Sequence, residues 1–140
     1  MNKNKKILLI GGTGYIGTVL YTYLKKKGYI VSSIDNQIYG KNVFSKSFKK
    51  DYNKYKNFLN FKSIEKDLRN TDYVVFLAGL VGDPITAKYP TMANLINDKG
   101  SIEFLKFIGR FKIKKLLYIS TCSNYGLSKS KKKIKWKKYS

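Results

Sequence analysis

Residues 10–17 read IGGTGYIG, and they follow the run KKILLI at residues 5–10. Glycine stands at positions 11, 12, 14 and 17, a density that packing alone does not require. An apolar run of strand length, a glycine turn, and then Ile16, Val19, Leu20 and Leu24 at helical spacing predict a strand over 6–10 and a helix over 15–27. Gly28 stands where a helix C-cap glycine belongs, and YIVSSID at 29–35 predicts a second strand. The first quarter of the chain therefore reads as a βαβ unit whose second strand ends in Asp35.

The glycines fit two registers, Gly11-x-x-Gly14-x-x-Gly17 and Gly12-x-Gly14-x-x-Gly17. In either, one glycine permits the tight turn, Gly14 lets a diphosphate lie against the backbone, and Gly17 lets the helix pack on the strand. The helix N-terminus adds N–H donors and the positive end of its dipole. Taken alone, the glycines also fit a plain strand-to-helix turn; their context between a predicted strand and a predicted helix favours the dinucleotide reading. Asp35 lies eighteen residues beyond Gly17. A carboxylate there can accept hydrogen bonds from adenosine ribose hydroxyls and repels a 2′-phosphate, which favours NAD over NADP; it also fits as a turn residue. The Gly-Lys-Ser/Thr ending of a P-loop is missing.

Farther along, residues 36–60 are basic, aromatic and poorly periodic, with a possible strand near their end. SIEKDLR at 63–69 predicts a short helix with Ser63 at the cap position and Ile64 and Leu68 one turn apart. DYVVFLAG at 72–79 reads as a buried strand. A helix over about 91–111 follows, with Leu95, Ile102, Leu105, Phe107 and Ile108 as its apolar face, and then a strand in KKLLYIST at 114–121. Strands alternating with helices predict an α/β fold, a doubly wound parallel sheet covered on both faces.

Composition narrows the partners. With 43% hydrophobic residues and 15% aromatics in 140 residues, the chain has the makings of one globular domain. Its 29 basic against 8 acidic residues give a formal charge of +21, which raises the question of a polyanion. Arg69 and Arg110 are its two arginines, whereas readers of bases and phosphates lean on the bidentate arginine fork, and the lysines are spread along the chain. Nucleic acid is therefore the less favoured partner. Cys122 is the single cysteine and histidine is absent, which argues against a disulfide framework, a metal site and imidazole catalysis. No apolar run is long enough to span a bilayer, and a cytoplasmic protein is the default expectation.

With these pieces in order, the sequence resembles the extended short-chain dehydrogenases/reductases, specifically NAD-dependent epimerases and dehydratases of nucleotide sugars. The resemblance runs from about Lys6 to Gly126 and rests on GGTGYIG, IDN at 34–36, FLAGLVGDP at 76–84, the IND-KG segment at 96–100 and STCSNYG at 120–126. It implies a Rossmann-type sheet of about five strands in the order 3-2-1-4-5. It also implies that Gly11, Thr13, Gly14, Tyr15, Ile16 and Gly17 cradle the pyrophosphate of NAD, and that Asp35 and Asn36 hold the adenosine side. Leu77, Ala78 and Gly79 would line the dinucleotide, and Asn97 matches the family's asparagine on the following helix. Where relatives often place an acidic adenine contact, this chain has Asn57 and Phe58.

The same resemblance places the active-site hydroxyl on Thr121, which would bond the sugar hydroxyl being oxidised and the catalytic tyrosine. The relatives oxidise the sugar transiently by hydride transfer to NAD and return the hydride, using the tyrosine of a Tyr-x-x-x-Lys pair as base. That pair is expected about twenty residues past Tyr125, where the sequence instead ends in KSKKKIKWKKYS at 129–140. Tyr125 and Lys129 have the right spacing, but Tyr125 already occupies the preceding motif, and the same spacing recurs at Tyr21/Lys25, Tyr23/Lys27 and Tyr52/Lys56. The expectation is an NAD-binding domain over 1–128 and a basic tail over 129–140 at a truncation point, inactive by itself, with the family's homodimer interface incomplete. A dinucleotide-dependent regulator without catalysis, or a lysine-rich polyanion binder, is the alternative.

Overall fold

The computed structural model describes residues 4–38 and 52–120. Thr121, Cys122, Tyr125 and the basic tail lie outside the described residues. Five strands, β1 (Lys6–Ile10), β2 (Ile30–Asp35), β3 (Asn53–Tyr55), β4 (Tyr73–Phe76) and β5 (Lys115–Tyr118), form one parallel sheet in the order β3-β2-β1-β4-β5. This is the order expected from the sequence, and β3 is the strand foreseen near the end of the unreadable segment. β1 is central, so Ile7 to Ile10 are buried on both faces.

The alternation of side chains along the strands divides the core in two. On one face Leu8, Ile10, Ile34, Val74 and Phe76 meet Ile64 and Leu68 of α2 (Phe61–Arg69) and Phe104 and Ile108 of α5 (Ser101–Ile108). On the other, Ile7, Leu9, Val31 and Val75 meet Leu20, Tyr21 and Leu24 of α1 (Tyr15–Lys26), together with the buried Tyr52. Helices on opposite faces are the doubly wound arrangement. At the end of α1, Gly28 adopts φ +85°, its N–H donates to the Lys25 carbonyl and that of Tyr29 to Leu24. These paired bonds are a Schellman cap, as the glycine predicted.

Three expectations shift. The buried stripe of α1 runs through Gly17, Thr18, Leu20, Tyr21 and Leu24, whereas Ile16 and Val19 face solvent. The close seating of Gly17 on Gly12 turns the helix toward that stripe. α2 begins two residues early, because the Asn60 side chain, not Ser63, caps it: Asn60 Oδ1 accepts from Ser63 N at 3.2 Å, and Ser63 Oγ donates to the Asn60 carbonyl.

An unforeseen helix, α3 (Asp83–Lys88), comes first, and the helix expected over 91–111 is a series: α4 (Pro90–Ala93), a π-helical segment (Asn94–Gly100) and α5. Leu95, Ile102 and Leu105 are exposed, unlike the apolar face expected, while Ala93, Gly100, Ser101, Phe104 and Ile108 turn inward at helical spacing; the small residues in that stripe carry little hydrophobic mark. Ser101 Oγ donates to the carbonyl of Ile96 five residues back, and a Cβ on Gly100 would strike Leu59. Both features suit the π register.

On the β3 side of the sheet, Asp67 of α2 is buried between the ammonium groups of Lys54 and Lys56. Burial alone would raise its pKa; the two lysines outweigh that and hold the carboxyl below its usual value.

Candidate functional site

The parallel strands bring two loops together at the carboxyl end of β1 and β4. The first is the glycine turn. Gly11 has φ +83°, and a Cβ there would lie 2.7 Å from the backbone N and Cα of Ala78. Gly11 is therefore the turn glycine, and it also seats the turn against the loop after β4. A Cβ on Gly12 would lie 2.7 Å from the Tyr52 hydroxyl and collide with Ser33. One on Gly17 would lie 2.6 Å from Gly12 Cα. Protein atoms explain these three glycines.

Gly14 is different. It is the N-cap of α1 with φ −73°, an ordinary value, and a Cβ would meet nothing nearer than the Gly11 carbonyl at 3.5 Å. No side chain caps the helix at this position. The first amides of α1, from Tyr15 to Gly17, have no carbonyl four residues back within the helix. An open backbone surface at a helix N-terminus, beside a residue without a side chain, suits the close approach of an anionic diphosphate. Tyr15 and Ile16 are exposed at the same helix start.

Asp35 ends β2 beside the turn. Its Oδ2 accepts from Thr13 N at 3.0 Å and its Oδ1 from Gln37 N at 2.7 Å, so the carboxylate braces the loops before it meets any ligand. Each oxygen keeps a second lone pair for a hydroxyl donor. Half-buried Asn36 follows directly. The second loop, Leu77, Ala78 and Gly79, is half-buried where the chain leaves β4. Asn97, in the π-helical segment, takes hold of Leu80: its Oδ1 accepts from Leu80 N and its Nδ2 donates to Leu80 O, both at 2.7 Å. Asn97, although exposed, thus serves as a brace for the loop.

The described members of the sequence-derived set fall on the glycine turn, the end of β2 and the loop after β4 with its asparagine brace. Thr121 lies outside the described residues. Sequence reasoning missed Tyr52, a buried tyrosine under the turn whose hydroxyl donates to the Gly12 carbonyl at 2.9 Å. Burial pushes its pKa well above the tyrosine range, partly offset by the neighbouring Ser33 hydroxyl. It sits in the poorly periodic segment, where no pattern marks it.

Away from these loops, a cavity of about 330 Å³ is lined by Lys6, Lys54, Lys56, Lys66 and Asp67 among others, and shares no residue with the predicted set. Among the described residues no group of three or more acidic, cysteine or histidine side chains is placed to hold a metal ion, and no helix is long and apolar enough to cross a membrane.

Comparison with known proteins agrees with this arrangement. The model of the NAD dependent epimerase/dehydratase family matches residues 7–138. A UDP-glucose 4-epimerase of Rickettsia akari is 31% identical over 131 residues, 84% of this chain and 37% of that protein. An uncharacterized protein of Methanocaldococcus jannaschii is 29% identical over 139 residues, 89% of this chain and 42% of that one. The structure of a UDP-N-acetylglucosamine 4-epimerase from Methanobrevibacter ruminantium, in complex with UDP-N-acetylmuramic acid, superposes with a TM-score of 0.77 at 27% identity, covering 92% of this chain and 42% of that one. The chain thus spans well under half the length of these relatives.

Proposed function

Because the chain belongs to the NAD-dependent epimerase/dehydratase family, we propose that its two carboxyl-end loops bind NAD, as the dinucleotide-binding part of an enzyme that acts on nucleotide sugars. The observation that carries this reading is the contrast at the turn. Gly11, Gly12 and Gly17 are required by protein contacts, whereas a Cβ at Gly14 would meet only the Gly11 carbonyl, at an ordinary 3.5 Å. A bound diphosphate supplies the missing reason for glycine there.

In this reading Gly11, Thr13, Gly14, Tyr15, Ile16 and Gly17 receive the diphosphate, Asp35 and Asn36 the adenosine ribose, and Leu77, Ala78 and Gly79 line the remainder, with Asn97 holding their loop. Bound NAD supplies a hydride acceptor that later returns the hydride. The Asp35 carboxylate repels a 2′-phosphate and so selects NAD against NADP. Thr121 is assigned the hydroxyl that orients the sugar hydroxyl undergoing oxidation.

The test is calorimetric titration with NAD at two salt concentrations, for the unaltered chain and for Asp35→Ala. Saturable binding with weak salt dependence, lost or sharply reduced in the variant, is the expected result. Unchanged affinity in a folded Asp35→Ala removes that residue from the site. No binding by a demonstrably folded chain reduces the glycine turn to architecture. A second reading, a lysine-based polyanion binder, draws on the lysine-lined cavity. It predicts steep loss of nucleic-acid affinity with salt.

A further inference from the structure

We propose that Tyr52 is a positioning residue for the dinucleotide: its hydroxyl and the Asp35 carboxylate grip one peptide unit, Gly12–Thr13, and set the glycine turn before a ligand arrives. The inference rests on the NAD reading above. Tyr52 Oη donates to the Gly12 carbonyl at 2.9 Å, and the N–H of Thr13 donates to Asp35 Oδ2 at 3.0 Å. These are the two polar ends of the same peptide plane. The described chain contains no cis peptide, so the two bonds point in opposite directions across that plane. Rotating the plane breaks both at once. The next peptide leads into Gly14, the residue left open at the start of α1.

Both grips depend on β2. Ser33 N donates to the Tyr52 carbonyl at 2.9 Å, which ties the tyrosine to the strand, and Asp35 lies two residues along on the same side as Ser33. The Tyr52 ring is held in turn by Tyr21 of α1, their centroids 3.9 Å apart. Swinging the phenol away would disturb the helix that carries the other wall of the turn. A phenylalanine would fill the same space, so ring packing alone does not account for a hydroxyl aimed at the Gly12 carbonyl.

Tyr52→Phe keeps the ring and removes the grip. Two readouts apply: NAD affinity by calorimetry, and hydrogen exchange of the Thr13 amide by NMR in the ligand-free chain. The unaltered chain is expected to protect the Thr13 amide. In the variant that protection and the NAD affinity should each fall about tenfold, while amides of β1 and β4 exchange as before. Unchanged Thr13 exchange, or unchanged NAD affinity, in a folded variant overturns the proposal. So does a Thr13 amide that exchanges at the rate of unstructured peptide in the unaltered chain, a measurement that needs no variant. If the unaltered chain binds no NAD, the cofactor reading falls by itself, and Thr13 exchange still decides whether the grip exists.

Discussion

The two loops that frame the candidate site are held in opposite ways. The glycine turn is held largely through its backbone, with Ala78, Ser33 and Tyr52 standing where its side chains would be. The loop after β4 is held by one side chain, Asn97, which bonds both polar groups of Leu80 from seventeen residues away. A loop fixed by missing atoms tolerates almost no substitution at the positions concerned. One fixed by a single polar group fails when that group is replaced, wherever in the sequence it lies.

The largest effect should come from joining the two loops by force. Gly11→Ala places a Cβ against the Ala78 backbone in a left-handed conformation, so it should destabilise the fold by about 3 kcal/mol or more, read as a shift of the urea midpoint. A loss under about 1 kcal/mol would show that the turn yields easily and would erase the contrast. Asn97→Leu should cost about 2 kcal/mol by stranding the N–H and C=O of Leu80. Hydrogen exchange should then quicken over residues 77–80 and not in the glycine turn; equal loosening of both would mean that the loops are one unit. The smallest effect on stability belongs to Gly14→Ala, below about 1 kcal/mol, because its φ is ordinary and its side is open. Its NAD affinity should nevertheless fall at least tenfold, the separation of folding from binding that the reading of this glycine requires.

What could be read from the sequence follows the same division. The glycine turn, the Schellman glycine Gly28, the end of β2 at Asp35 and the order of strands all leave local marks, since glycine density and apolar runs are written in adjacent residues. Phase was harder. Ile16 and Val19 looked as apolar as Leu20 and Leu24, and only the seating of Gly17 on Gly12 decides which face is buried. Leu95 and Ile102 likewise face outward, because the buried stripe of this segment runs through the small residues Ala93, Gly100 and Ser101, which leave little hydrophobic mark in the sequence. Asn60 displaced Ser63 as the α2 cap because either residue is a competent capping side chain. Tyr52 was invisible for a different reason: its value lies in a contact forty residues distant in the chain.

The three-residue strand β3 bears on the protein's behaviour at high concentration. It forms the edge of the described sheet, and its middle residue is Lys54, half of whose side chain is exposed while its ammonium group is tied to Asp67. A neighbouring molecule seeking to extend the sheet there would find few free backbone groups and would have to desolvate a cation. Short, lysine-bearing edges of this kind discourage strand-to-strand aggregation.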